Sequence, residues 1–167
     1  MGPVIAAPAH VETDAVLGGE ESGGFGVRGH IPERDGILVG LLFADMIVKA
    51  GKPLSAILAD LERRVGPHAY ARHDIHLARE TYDVDRKRIL DTLEKNEPNE
   101  IAGVRVQRVR SDDGFKFYLE DGSWVLLRAS GTEPLIRIYS EAADSASVEA
   151  RLAALEDIVG IRAHVSS

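Results

Sequence analysis

The stretch RASGTEP, Arg128 to Pro134, decides the fold. A strand is read ahead of it over Ser123–Arg128, and apolar and polar residues alternate behind it over Leu135–Ser140. Two half-buried strands therefore meet at a short polar loop. Upstream, Asp121-Gly122 is a hairpin-turn signal that follows a strand at Phe115–Leu119. The turn SDDG, Ser111 to Gly114, separates that strand from another at Val104–Arg110. The polar run NEPNE, Asn96 to Glu100, reads as a loop. Before it, Asp83 or Asp85 is expected to cap a helix reaching about Lys95, with Ile89, Leu90 and Leu93 on its inner face. Tyr70–Ala78 reads as a further strand. Downstream, Asp144 or Ser145 caps a last helix that carries Val148, Leu152, Leu155 and Val159 and stops at Gly160. Helix, several antiparallel strands and helix make a small α+β sandwich with its helices on one face.

The N-terminal part has a different rhythm. Gly18–His30, GGEESGGFGVRGH, is too rich in glycine for a regular element, and His10–Leu17 reads as a short strand before it. A helix over Ile37–Ala50 is apolar on most sides, which predicts burial, and Gly51 stops it. Pro53 opens a second helix to about Arg64, with Leu54, Ile57, Leu58 and Leu61 at helical spacing. Gly66-Pro67 marks a boundary between units 1–66 and 67–167. The fold class is thus α+β: the C-terminal piece of an α/β domain, then a small antiparallel-sheet domain with flanking helices.

Composition narrows the function classes. The chain has 167 residues, 44% of them hydrophobic and 28% charged, with a net charge of -7 and no cysteine. Thiolate chemistry, disulfides and Cys-based zinc sites are excluded. The acidic balance argues against a general nucleic-acid coat. The most apolar stretch, Gly36–Ala44, is far shorter than the roughly 18 residues a membrane span needs. The start, MGPVIAAPAH, lacks the basic and apolar regions of a signal peptide, so a cytoplasmic protein is expected.

RASGTEP places a guanidinium, two hydroxyls and a glycine amide in one turn, a donor set suited to a phosphate dianion. Arg137, on the following strand, adds a second cation. The alternative is a hairpin whose Ser130 and Thr132 satisfy their own backbone; both readings stay open on residue chemistry. In GEESGG, Gly19 to Gly24, Glu20 and Ser22 alternate outward from a glycine-rich turn, a geometry suited to sugar hydroxyls; a solvated acidic turn is the alternative.

GEESGG followed at a distance by RASGTEPLIRIYSEA resembles the α-D-phosphohexomutase family of phosphoglucomutases, phosphomannomutases and phosphoglucosamine mutases. The resemblance covers the end of the family's third domain and its complete fourth domain. It implies that Glu20 and Ser22 grip sugar hydroxyls. It likewise implies that Arg128, Ser130, Gly131, Thr132 and Arg137 hold the phosphate that is not transferred. The implied parent reaction is intramolecular phosphotransfer on a hexose phosphate through a phosphoserine and a hexose bisphosphate. The family's phosphoserine and magnesium loops have no counterpart in this sequence. No residue here is therefore assigned as catalytic or metal-binding, and the chain is expected to be inactive alone. Magnesium is expected only in the missing N-terminal domains, which would act in cis or in trans. A free-standing sugar-phosphate-binding or regulatory module and half of a split mutase are the alternatives.

Four other features are read as structural. Gly24–Gly29 matches G-x-G-x-x-G but lacks a surrounding strand–helix–strand unit; Arg28 and His30 nearby are either loop residues or, on the resemblance, cleft residues. His68, His73 and His76 read as surface histidines, with His73 and His76 on opposite strand faces. Strand alternation is expected to split Arg105, Arg108 and Arg110 between faces, and Trp124 is assigned to packing.

Overall fold

Alternation and its interruptions explain most of the architecture. The computed structural model describes residues 14–19, 23–31 and 33–162. The chain divides into two units, Met1–Leu61 and Glu62–Ser167.

In the first unit, β1 (Leu17–Gly19) pairs antiparallel with β2 (Phe25–Val27), so the glycine-rich segment does contain regular structure. Glycine is what permits it: a side chain at Gly19 would begin 2.9 Å from the Phe25 ring. The segment 10–13 of the expected preceding strand lies outside the described residues. Helix α1 (Gly36–Ala50) is capped by Asp35, whose Oδ1 accepts from the Ile37 and Leu38 amides at 2.9 and 3.0 Å. Gly51, at φ 63°, ends it. The expected burial of this helix is not observed. None of its residues is buried, and Ile37 and Val48 are 81% and 79% exposed. Among the described residues of this unit, Leu17 and Phe25 of the short hairpin face Val39, Leu42, Phe43 and Met46 across a shallow depression. Helix α2 (Leu54–Val65) follows.

The second unit holds β3 (Ala69–His76), α3 (Tyr82–Lys95), β4 (Glu100–Ile101), β5 (Val104–Arg110), β6 (Phe115–Leu119), β7 (Trp124–Ala129), β8 (Leu135–Ala142) and α4 (Ser145–Val159). Its strands form one antiparallel sheet in the order β3-β8-β7-β6-β5-β4. Phe117, Leu119, Val125, Leu127, Ile136 and Ile138 cover one sheet face and share a core with Ile89, Leu93, Val148, Leu152, Leu155 and Val159 of α3 and α4. This is the helix-backed antiparallel sheet that the sequence pattern predicts.

The departures have local causes. Strand β4 begins at the end of the run read as a loop. Buried Ile101 anchors it, and Ala102 and Gly103, at φ 51° and 77°, turn the chain back into β5. Helix α3 starts at Tyr82 after Thr81, which makes no side-chain cap. Asp83 and Asp85 lie inside its first turn, where a carboxylate complements the helix dipole. A β-bulge between Val106 and Arg108 shifts the register of β5. Val104, Val106 and Val109 all pack on the core, which places Arg105, Arg108 and Arg110 together on the opposite face. There the Arg108 guanidinium lies 4.0 Å from the centre of the Tyr118 ring, and Lys116 Nζ lies 3.7 Å from that of Trp124. His73 is not an ordinary surface histidine: it is half-buried, with Nδ1 2.6 Å from Oε1 of buried Glu156.

Two polar features fix the sheet's turns. Arg151 of α4, 4% exposed, donates to Ser123 Oγ at 2.8 Å and the Ser147 carbonyl at 2.6 Å, and it pairs with Asp121 in the β6–β7 turn. Gly114, in the β5–β6 turn, sits at φ 94°, where an added Cβ would lie 2.3 Å from the Leu127 carbonyl oxygen.

This packing has measurable consequences. Gly114→Ala pairs an unfavourable φ with a clash against the β7 backbone, so chemical denaturation should show a loss of about 2–4 kcal/mol; a loss under roughly half a kcal/mol would contradict that packing. Asp121 is affected by burial, which pushes its carboxyl up, but hydrogen bonds from Ser123 and the Arg151 charge outweigh this and hold it below the usual value. Its stabilisation is therefore complete above the unfolded-state value of 3.8 and is lost as pH falls through the lower folded value. Asp121→Asn should lower the melting temperature at neutral pH, and the gap to wild type should close towards about pH 2. A gap that persists in acid would exclude the carboxylate as its source. In limited proteolysis, the resistant piece should begin near Tyr70, because the first unit has exposed helices; a resistant N-terminal piece would contradict this.

Candidate functional site

The β7–β8 hairpin carries five of the sequence-predicted site residues. Val125 and Leu127 on β7 and Ile136 and Ile138 on β8 turn inward to the helices, so Arg128 and Arg137 must turn outward. Register then sets them against each other: Arg128 is the direct cross-strand partner of Arg137, and Arg137 of Asp74 on β3. Opposed like charges are unfavourable unless anions surround them. Asp113, from the β5–β6 turn, accepts from Arg128 Nε at 3.1 Å. Asp74 Oδ1 lies 3.8 Å from Arg137 Nε and 2.9 Å from Arg72 Nε. Glu133 Oε2 lies 3.6 Å from Arg137 Nη2. Nε of Arg137 is buried without a hydrogen-bond acceptor, a cost of about 1–3 kcal/mol that packing must offset.

The connecting loop is held from both sides. The Ser130 amide donates to the Leu135 carbonyl at 2.8 Å. Ser130 Oγ accepts from the amides of Thr132 and Glu133 at 3.3 and 3.1 Å, so this hydroxyl does satisfy its own turn. Its proton remains able to donate outward. The Tyr82 hydroxyl, at the start of α3, donates to the Ser130 carbonyl at 2.5 Å. Burial pushes the Tyr82 phenol above its usual range, which keeps it a donor. Gly131 has no positive φ, and a Cβ there would meet nothing within 4 Å. Neither backbone conformation nor packing inside the chain therefore requires glycine at 131.

The other predicted residues are distributed differently. Glu20 and Ser22 lie outside the described residues. Arg28 pairs with Asp14 at 3.0 Å. His30 Nε2 lies 2.8 Å from Asp35. Hydrogen bonds from the Leu38 amide and then from His30 hold the Asp35 carboxyl below its usual value. Asp74, Asp113 and Tyr82 are not legible as site residues in the sequence. Asp113 is visible there only as part of a turn, and no local spacing links Tyr82 or Asp74 to a loop so distant along the chain. Among the described residues, no three His, Asp or Glu side chains converge as a metal site. No helix among them is long and apolar enough to cross a membrane.

Comparison with known proteins fits this architecture. Residues 84–158 match the family model of the phosphoglucomutase/phosphomannomutase C-terminal domain, and residues 3–65 match that of the family's alpha/beta/alpha domain III. A phosphoglucomutase/phosphomannomutase of Thermococcus kodakarensis is 34% identical over 142 residues, which are 85% of this chain and 28% of that protein. A phosphoglucosamine mutase of Streptomyces griseus is 33% identical over 143 residues, 86% of this chain and 26% of that protein. Among solved structures, a Thermus thermophilus protein assigned as a phosphomannomutase is 33% identical with a TM-score of 0.67, over 93% of this chain and 29% of the other. The chain thus spans between a quarter and a third of the length of these relatives. Two domain models of one family, matched in order along the sequence, assign the chain to the phosphoglucomutase/phosphomannomutase family, to its third and C-terminal domains.

Proposed function

We propose that the β7–β8 hairpin binds the phosphate of a hexose phosphate or hexose bisphosphate. The observation that carries this reading is the direct opposition of Arg128 and Arg137 on one sheet face beside the Ser130–Thr132 loop. Two guanidiniums in adjacent strands can offer parallel N–H pairs to one phosphate group. The open space above Gly131 suits close approach of an anion to the main chain. The Ser130 hydroxyl and the Gly131 amide supply donors beside the guanidiniums, with Thr132 at the rim.

On this reading Glu20 and Ser22 hydrogen-bond sugar hydroxyls, and the domain boundary falls between residues 66 and 67. The whole activity is an intramolecular phosphotransfer in which these residues bind and orient the sugar phosphate. The phosphoryl-carrying serine and the magnesium ligands belong to other domains of the complete enzyme, acting in cis or in trans. Because the bisphosphate must be accepted in both orientations, a clamp that reads only phosphate geometry serves both half-reactions. A cytoplasmic setting belongs to the same reading, since phosphorylated sugars are charged metabolites retained by membranes.

Amide NMR titration of the chain with glucose 6-phosphate, with glucose as control, tests the clamp. Shifts at Ser130, Gly131 and Thr132 should appear with the phosphate ester only. Arg128→Ala should abolish them in a folded protein, and Gly131→Ala should weaken binding about tenfold or more while preserving the fold. Unchanged affinity in folded Arg128→Ala sinks the assignment.

A further inference from the structure

The charges around the arginine pair constrain how an anion enters. Arg72, Arg128 and Arg137 face Asp74, Asp113 and Glu133, three cations against three carboxylates. A phosphate dianion added to that neutral group would leave an excess of two negative charges. A carboxylate that gives way halves that excess, and the three differ in how they are held. Asp74 lies on β3, contacted by both Arg72 and Arg137, and its Oδ1 is buried. Asp113 accepts a 3.1 Å bond from Arg128 Nε. It is fixed in a turn whose Gly114 abuts the β7 backbone. Glu133 lies in the loop itself, is 63% exposed at its side chain, and stands 3.6 Å from a terminal nitrogen of Arg137, beyond hydrogen-bond length.

We infer that Glu133 is an internal competitor for the outer edge of Arg137, displaced by a phosphate dianion, whereas Asp74 and Asp113 stay in place as positioning residues. This deepens the phosphate-clamp reading and rests on it. The exchange makes the site selective by charge. A monoanion gains little by replacing a carboxylate already present, whereas a dianion gains the attraction of both guanidiniums. The ligand class is a phosphate monoester in its dianionic form. Glu133 thus sets affinity as well as selectivity, since every binding event must first break its contact with Arg137.

Isothermal titration of the full chain with glucose 6-phosphate and with inorganic phosphate, at a pH above the second phosphate pKa, separates the possibilities. Glu133→Gln should bind both probes about three- to tenfold more tightly than wild type, because no carboxylate then competes for the outer edge of Arg137. Glu133→Asp keeps the charge but withdraws the carboxylate by one methylene, and it too should bind more tightly. Tighter binding by Glu133→Gln with Glu133→Asp unchanged would replace exchange by simple long-range repulsion and overturn the inference. Unchanged or weaker binding by Glu133→Gln overturns it directly. Arg128→Ala, run beside them, distinguishes the failures. If it loses binding while the Glu133 variants are silent, only the exchange is wrong. If it binds like wild type, or if no protein in the set binds either probe, the clamp reading and the exchange both fall.

Discussion

The register between β7 and β8 is the constraint on which the second unit depends. It sets Leu127 beside Ile138 on the helix face and Arg128 beside Arg137 on the other. A slip of one residue would turn both sets over, burying guanidiniums and exposing aliphatic side chains. The core and the arginine pair of the proposed clamp are therefore specified by the same pairing. Because β8 lies between β3 and β7, it also carries that register to Asp74. The chain does not build a scaffold and then decorate it with a site; on the proposed reading, the outward side chains of these strands are the site.

That coupling explains why much is legible in the sequence. The apolar run Trp124–Leu127 marks one strand, alternation over Ile136–Ile138 marks the next together with its inward face, and RASGTEP locates the turn and its donors. Gly51 and Gly160, both left-handed, close α1 and α4 where the sequence places them. What escapes has no period to show it. The bulge at Val106 and Arg108 breaks the rule that alternation relies on, and so gathers three arginines that a strict period of two separates. The short strand β4 depends on the burial of one isoleucine, Ile101, rather than on a pattern. Asp74, Asp113 and Tyr82 reach the clamp from three other elements, and their roles emerge only once the sheet order is known.

The two units differ in how far they satisfy themselves. In the second, α4 lays Val148, Leu152, Leu155 and Val159 on the sheet, and even Arg151 and one of its two glutamates, Glu156, are buried with partners. In the first, α1 is well capped at both ends and yet buries nothing. Local signals suffice to begin and end a helix, but they do not supply a surface to cover it. The apolar breadth of α1 is the mark of a buried helix; the described residues of its own unit are too few to bury it.

Tyr82 gives the clamp loop a mechanical property that its own sequence lacks. The first turn of α3 has no side-chain cap from Thr81, yet the Tyr82 hydroxyl is tied to the Ser130 carbonyl. The helix end and the loop therefore brace one another through that hydroxyl, which also lies 3.4 Å from the Leu135 carbonyl. Fraying of the helix start would remove this tether and leave the loop to its own bonds and to the Leu77 amide on the Pro134 carbonyl, and a pull on the loop would be felt along the axis of α3 as tension at its first turn. The tyrosine makes a rigid rod and a short turn one lever, with its fulcrum at a single phenolic oxygen.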